Sequence, residues 1–163
     1  FGADCPSLRV AANLPYYITT DVLTKLMREL PQAKSIAVMI QKEVGDKLLS
    51  GPGDDGYGPL AVMCQYRYHV MRALDVPAAC FNPPPKVKSA VIRLRRNGVE
   101  RLACDETLFV KVVKASFGQR RKMIRQSLKG VPGAIEKAAA LGIEPTLRAE
   151  NLTPEQYLAL AGG

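Results

Sequence analysis

Within the first fifty residues, two strand-length apolar runs are each followed by a helical pattern, and this constrains the fold more than anything else in the chain. Leu8, Val10, Ala11 and Ala12 form the first run. After a short gap, Thr19-Thr20 predicts a helix start, with Asp21 in the first turn. Val22, Leu23, Leu26, Met27 and Leu30 give that helix an apolar face, and Pro31 closes it. Ser35 to Ile40 is a continuous apolar run, as expected of a parallel strand covered on both faces. Lys42 to Leu49 reads as another short helix. Strand-helix-strand-helix is the signature of an α/β fold. In such sheets ligands bind outside the carboxyl ends of the strands, so the residues just after Ala12 are the first place to look for a site.

Those residues are Asn13-Leu14-Pro15-Tyr16. An amide, a proline and an aromatic together suit a flat, hydrogen-bonding base, and the chemistry such a grip supports is transfer to an exocyclic amine. The lone pair on adenine N6 is delocalised into the ring, so the amine becomes nucleophilic only when acceptors draw on its two hydrogens. Oxygens of Asn13 and Leu14 are placed to do this, Pro15 removes a donor and fixes φ, and Tyr16 offers a face for stacking. No general base of shifted pKa is required. Taken alone, the tetrapeptide fits a plain strand-turn-helix junction equally well, with Tyr16 as a core or rim aromatic.

Gly51 to Gly58 is rich in glycine but lacks a Gly-Lys-Ser/Thr ending, and Asp54 and Asp55 would repel phosphate, so it reads as a mobile surface loop. Leu60 to Tyr66 looks helical, and His69 to Val76 looks like a strand leading to Pro77. His69 is the only histidine and reads as a strand residue rather than a ligand. Phe81 precedes the rigid run Asn82-Pro83-Pro84-Pro85, an extended rail into the next strand. From Val87 to Arg95 the pattern alternates, with Ala90, Ile92 and Leu94 on one face and Val91, Arg93 and Arg95 on the other; Arg93, Arg95 and Arg96 form a basic exit. Asn97-Gly98 signals a turn, and a domain boundary falls near residue 100.

Beyond it the patterns are helical. Leu108, Phe109, Val112, Val113, Ala115 and Phe117 share a broad face ended by Gly118, Pro132 and Gly142 bracket a short helix, and Thr153-Pro154-Glu155-Gln156 is a capping box. Ser116 to Gly130 holds five cations, Arg120, Arg121, Lys122, Arg125 and Lys129, and no acid. A solvated helix face has this look, but so does a phosphate-binding surface, and a formal charge of +8 favours an anionic partner such as nucleic acid.

With 163 residues, 47% of them apolar, the chain can bury one good core and a small second domain. No apolar run reaches the roughly 18 residues of a membrane span. Cys5, Cys64, Cys80 and Cys104 are scattered without a Cys-x-x-Cys pair, so neither a metal site nor a disulfide framework is expected, and a cytoplasmic setting is. Phe1 is not a natural initiator, and a strand pattern starts almost at once, so an N-terminal truncation is expected.

Asn13 to Thr19 resembles the amino-methyltransferase motif of the ribosomal RNA adenine dimethyltransferases, in particular the KsgA (RsmA) family. Tyr57-Gly58-Pro59-Leu60, Phe81 to Val87 with Ser89-Ala90-Val91, Phe117 to Lys122, and Ala149 to Leu152 with Gln156-Tyr157-Leu158 match it in the same order. The resemblance implies the C-terminal part of a Rossmann-like class I methyltransferase sheet over residues 1–100, without its first three strands, and an all-helical RNA-binding domain over 101–163. It implies S-adenosylmethionine as cofactor, touched here by Asn13 while most of its site is missing. Phe81 would stack on the target adenine opposite Tyr16, although simple core packing of Phe81 stays open. The implied reaction is N6,N6-dimethylation of two adjacent adenosines in the 3'-terminal hairpin of small-subunit rRNA, during biogenesis of the 30S subunit, by a monomer when the protein is full-length; the fragment alone would be inactive. The implied site is Asn13, Leu14, Pro15, Tyr16 and Phe81, with Arg93, Arg95, Arg120, Arg121, Lys122 and Arg125 as RNA contacts. Two other readings stand beside it: a non-catalytic RNA-binding or ribosome-assembly module, and a mitochondrial transcription-factor relative. Related antibiotic-resistance methylases act on large-subunit RNA, but the triple proline and the Phe117 to Lys122 block look more like the small-subunit enzymes.

Overall fold

Four strands lie in the order β1-β2-β4-β3 in a computed structural model that describes residues 8–98 and 106–162. The strands are β1 (Arg9–Asn13), β2 (Ser35–Gln41), β3 (Tyr68–Val76) and β4 (Ser89–Arg96), and helices α1 (Thr19–Glu29) and α2 (Lys42–Leu49) follow the first two. β1 and β2 are parallel, whereas β4 runs antiparallel to both β2 and β3. The expected strand-helix-strand-helix start is therefore present, and β1 is one edge of this sheet.

One face of the sheet carries the core of this unit. Ile36, Val38 and Ile40 of β2 and Ala90, Ile92 and Leu94 of β4 are all fully buried. Helix α2 closes on that face at Gly45, where a Cβ would stand 2.9 Å from Ile92 Cδ1. β2 differs from its sequence reading, since its burial alternates rather than being complete on both sides. Ser35, Ala37 and Met39, on its other face, are only half-buried, and Ala37 lies beside exposed Arg93. Thr19 also departs from its expected capping role: its hydroxyl donates to the Pro15 carbonyl at 3.1 Å.

The chain divides into two compact units, the described residues of Phe1–Leu49 with Arg67–Gly98, and those of Ser50–Tyr66 with Val99–Gly163. The second unit thus includes a segment that the boundary near residue 100 had assigned to the first. The cause is apolar burial: α3 (Pro59–Gln65) buries Ala61 and Val62, and the flanking Tyr57 and Tyr66 are buried too, among side chains of the later helices. Those helices are α4 (Glu106–Gly118), α5 (Ile124–Ser127), α6 (Ala134–Ala140) and α7 (Pro154–Leu160). Phe109, Val112 and Val113 of α4 and Tyr157 of α7 are fully buried at the centre.

The Gly51–Gly58 stretch is not the untethered loop that its composition suggested. The Gly53 N–H donates to the Glu150 carbonyl at 2.8 Å, and the Tyr57 hydroxyl donates to the Leu152 carbonyl at 3.0 Å. Tyr157 likewise donates to the Ala149 carbonyl at 2.7 Å. Burial pushes both phenols up, so both remain protonated donors at neutral pH. The Thr153 capping box is formed, with Thr153 Oγ1 accepting from the Gln156 N–H and the Thr153 N–H donating to Gln156 Oε1. Cys64 is fully buried and burial raises its thiol, Cys80 is exposed, and Cys5 and Cys104 lie outside the described residues. Among the described residues no helix is long and apolar enough to cross a membrane.

Candidate nucleic-acid interface

β1 ends at Asn13, and the chain turns away at once. The Leu14 N–H donates to the Met39 carbonyl at 3.1 Å, continuing the contact with β2 for one residue. Pro15 has φ −59° and ψ 133°, and its carbonyl accepts from both the Ile18 N–H and the Thr19 hydroxyl. A tight 3₁₀ turn, Tyr16–Ile18, then leads into α1. Proline's fixed φ and these two bonds to one carbonyl hold the turn rigid.

Tyr16 is anchored from the far side of the sequence. Its hydroxyl lies 2.6 Å from Ser89 Oγ, and Ser89 is fully buried at the first position of β4. Phe81 arrives on the segment that feeds the same strand: it caps a short 3₁₀ turn, Ala78–Cys80, and is followed by a cis Asn82–Pro83 bond. The result is an open cleft of about 300 Å³ lined by Asn13, Leu14, Pro15 and Tyr16 on one side of the chain and Phe81, Pro83 and Pro85 on the other. That volume suits a single base at the small end of ligand sites. The Asn13 side chain and the Leu14 carbonyl have no hydrogen-bond partner among the described residues, leaving acceptors at the wall. The family resemblance implied that Phe81 meets Asn13 to Tyr16 but gave Ser89 no role; a serine opening an alternating strand, with its side chain on the buried face, was the available signal.

The cations divide into two groups. Arg93 and Arg95 are exposed within β4 rather than beyond its end, so the expected basic exit is instead part of a sheet face. Arg95 pairs in register with Ser35 and His69, and Ser35 with Arg9, so Arg9, Arg95 and His69 share one row across that face.

In the second unit, Arg121, Lys122, Arg125 and Lys129 are exposed, and their side chains form no ion pair among the described residues. Arg120 is different: its Nε donates to Glu150 Oε2 at 2.9 Å and its guanidinium donates to the Asp55 carbonyl at 2.8 Å. It ties the Gly51–Gly58 loop to the Ala149–Asn151 turn, so the block is not uncompensated throughout. We expect Arg120→Ala to cost about 1 kcal/mol or less of stability, because the pair is half-exposed, and to leave the salt dependence of RNA binding unchanged. Arg121→Ala and Lys122→Ala should leave stability unchanged and each flatten the slope of log K against log salt by about 0.9 unit. Denaturant titration beside a salt series of RNA affinities separates the two; a slope change for Arg120→Ala equal to the others would contradict the assignment.

The family model for ribosomal RNA adenine dimethylase matches residues 3–162. Ribosomal RNA small subunit methyltransferase A of Ruegeria sp. (strain TM1040) is 44% identical over 160 residues, covering 96% of this chain and 57% of the relative. The protein of the same name from Thiobacillus denitrificans is 43% identical over 161 residues, covering 98% of this chain and 63% of its own length. The chain thus spans less than two thirds of these relatives. Among solved structures, a dimethyladenosine transferase from Plasmodium falciparum superposes with a TM-score of 0.83 over 93% of this chain and 64% of its own; at 22% identity it shows a shared fold. The 23S rRNA methyltransferase ErmE matches at 26% identity with a TM-score of 0.65, over 96% of this chain and 64% of its own. These are Rossmann-like methyltransferase folds, as the sheet and its flanking helices are here. With residues 3–162 of its 163 matched by the family model, this chain belongs to the ribosomal RNA adenine dimethylase family.

Proposed function

We propose that this chain supplies the base-capturing and RNA-docking part of an S-adenosylmethionine-dependent enzyme that dimethylates N6 of two adjacent adenosines in the 3'-terminal hairpin of small-subunit rRNA, in the cytoplasm. The observation that carries this reading is the cleft itself, which two aromatics from distant parts of the chain, Tyr16 and Phe81, line together with Asn13 and Leu14. Tyr16 and Phe81 stack on the two faces of a flipped adenine. The Asn13 side-chain oxygen and the Leu14 carbonyl accept the two N6 hydrogens. This draws the nitrogen lone pair out of conjugation and aims it away from the wall. Pro15 keeps both acceptors in position before the base arrives, so little reorganisation accompanies reaction. The N6 proton passes to solvent, since the described residues that line the cleft carry no carboxylate, imidazole or amine.

The cofactor, when bound, supplies an electrophilic methyl group on a sulfonium. The Tyr16 hydroxyl is engaged by Ser89, and Asn13, as the family resemblance implies, would touch the cofactor as well as the base. The exposed cations Arg121, Lys122 and Arg125, with Arg93 and Arg95, hold the RNA backbone. Transfer needs a donor positioned in line with the captured amine, so the 163-residue chain alone should bind RNA without methylating it. Joined to the N-terminal part of the Ruegeria relative, the chain should transfer labelled methyl groups to small-subunit RNA, and Asn13→Ala in that chimera should abolish transfer. A folded, RNA-binding chimera that transfers nothing would favour a non-catalytic binding module instead.

A further inference from the structure

Tyr17 is the most exposed of the large apolar side chains among the described residues, at 86%. Its hydroxyl has no hydrogen-bond partner among them either. A lone surface aromatic needs no explanation, but this one occupies a particular place. It comes directly after Tyr16 in the rigid 3₁₀ turn Tyr16–Ile18, held from Pro15 and Thr19. With three residues per turn, successive side chains diverge by about 120°, so the turn that commits Tyr16 to the cleft presents Tyr17 to solvent at its rim.

We propose that Tyr17 is the stacking platform for the nucleotide next to the captured adenine, so that consecutive tyrosines hold consecutive bases. This rests on the functional reading above, in which Tyr16 takes the target base. Extruding one base strips its neighbour of a stacking partner, and an aromatic face at the rim replaces what was lost. The platform reads no base edge, so it tolerates any base there, but it sets which of the two adjacent bases is captured first. Tyr17 is a positioning residue on this account, since it touches neither the reacting nitrogen nor the donor.

The test is a pair of mutant cycles between protein and RNA, measured as affinity of the chain for a hairpin with two adjacent adenosines. Each adenosine in turn is replaced by an abasic nucleotide. Tyr17→Ala and loss of one particular base should each weaken binding about five- to a hundredfold, and the two together should weaken it no further. Tyr16→Ala should couple in the same way to the other, adjacent base, and Tyr17→Phe, which keeps the ring, should bind as the unmodified chain does. Coupling of Tyr17 to neither base, or to the same base as Tyr16, overturns this inference while leaving the cleft reading intact. If Tyr16 couples to neither base, the cleft reading itself falls, and the inference falls with it.

Discussion

Replacing Tyr16 or Phe81 with alanine is expected to weaken capture of an adenosine-containing RNA hairpin by about 1–3 kcal/mol per lost stack, a fall of roughly five- to a hundredfold or more in affinity. The dependence of log K on log salt should not change, because a lost stack releases no counterion. The two rings differ in what else they do. Tyr16 is bonded to buried Ser89, so Tyr16→Phe leaves the Ser89 hydroxyl without that partner and should cost about 1–3 kcal/mol of stability, with the stacking ring still in place. Phe81 has no such tie, and Phe81→Leu should lose most of what Phe81→Ala loses, since it keeps apolar bulk without a π face. Fluorescence anisotropy between 50 and 200 mM salt, about a fourfold range over which phosphate contacts show strongly, reads both quantities. Alanine variants that bind as tightly as the parent would make Tyr16 and Phe81 mere packing residues. A changed slope would mean that they act through the RNA backbone.

A larger effect is expected away from the cleft. Phe109 is fully buried in α4, with its ring 4.4 Å from that of Tyr66 and tilted by 51°. Phe109→Ala removes the contact between α4 and the end of α3 and leaves a cavity that neighbouring helices fill poorly, at a cost of about 3–5 kcal/mol. That is a large share of the roughly 5–15 kcal/mol typical of a whole domain, so the helical unit should lose its cooperative melt while the cleft residues keep their environment. Urea unfolding monitored by far-UV circular dichroism measures the loss. A cost below about 1 kcal/mol would show that the unit is organised around other residues.

The parts of the cleft are signalled locally, a strand end by an apolar run, a fixed turn by Pro15, a rigid approach by Pro83, Pro84 and Pro85, whereas the meeting of Phe81 with Tyr16 was implied only by the family resemblance. α2 and the Thr153 capping box were legible because they too are signalled locally. What was not legible depends on partners far along the chain. Arg120 looked like one more free cation because its carboxylate partner, Glu150, lies 30 residues away. The Gly51–Gly58 loop looked untethered because its glycines are local, whereas the bond that fixes Tyr57 reaches Leu152, 95 residues on. The two units do part near residue 100, but the membership of 50–66 was hidden in the same way, since α3 shows its own apolar face but not which helices will cover it. Thr19 was misread for a different reason: a hydroxyl at a helix start has a carbonyl as well as an N–H within reach, and here it bonds the carbonyl.

The interleaving of the two units bears on the order in which the protein can be made. A ribosome synthesises the chain from its N-terminus, so everything the sheet unit needs has been made once Gly98 is joined. The helical unit then already owns Tyr57, Ala61, Val62 and Tyr66, whose cover has not yet been synthesised. Those apolar side chains stay without partners until α4 appears, and the Tyr57 hydroxyl stays unbonded until Leu152 does, close to the last residue. The unit that carries the basic block therefore becomes competent after the sheet unit, and between the joining of Gly98 and that of Leu152 the chain carries an uncovered apolar segment between stretches that belong to the sheet unit.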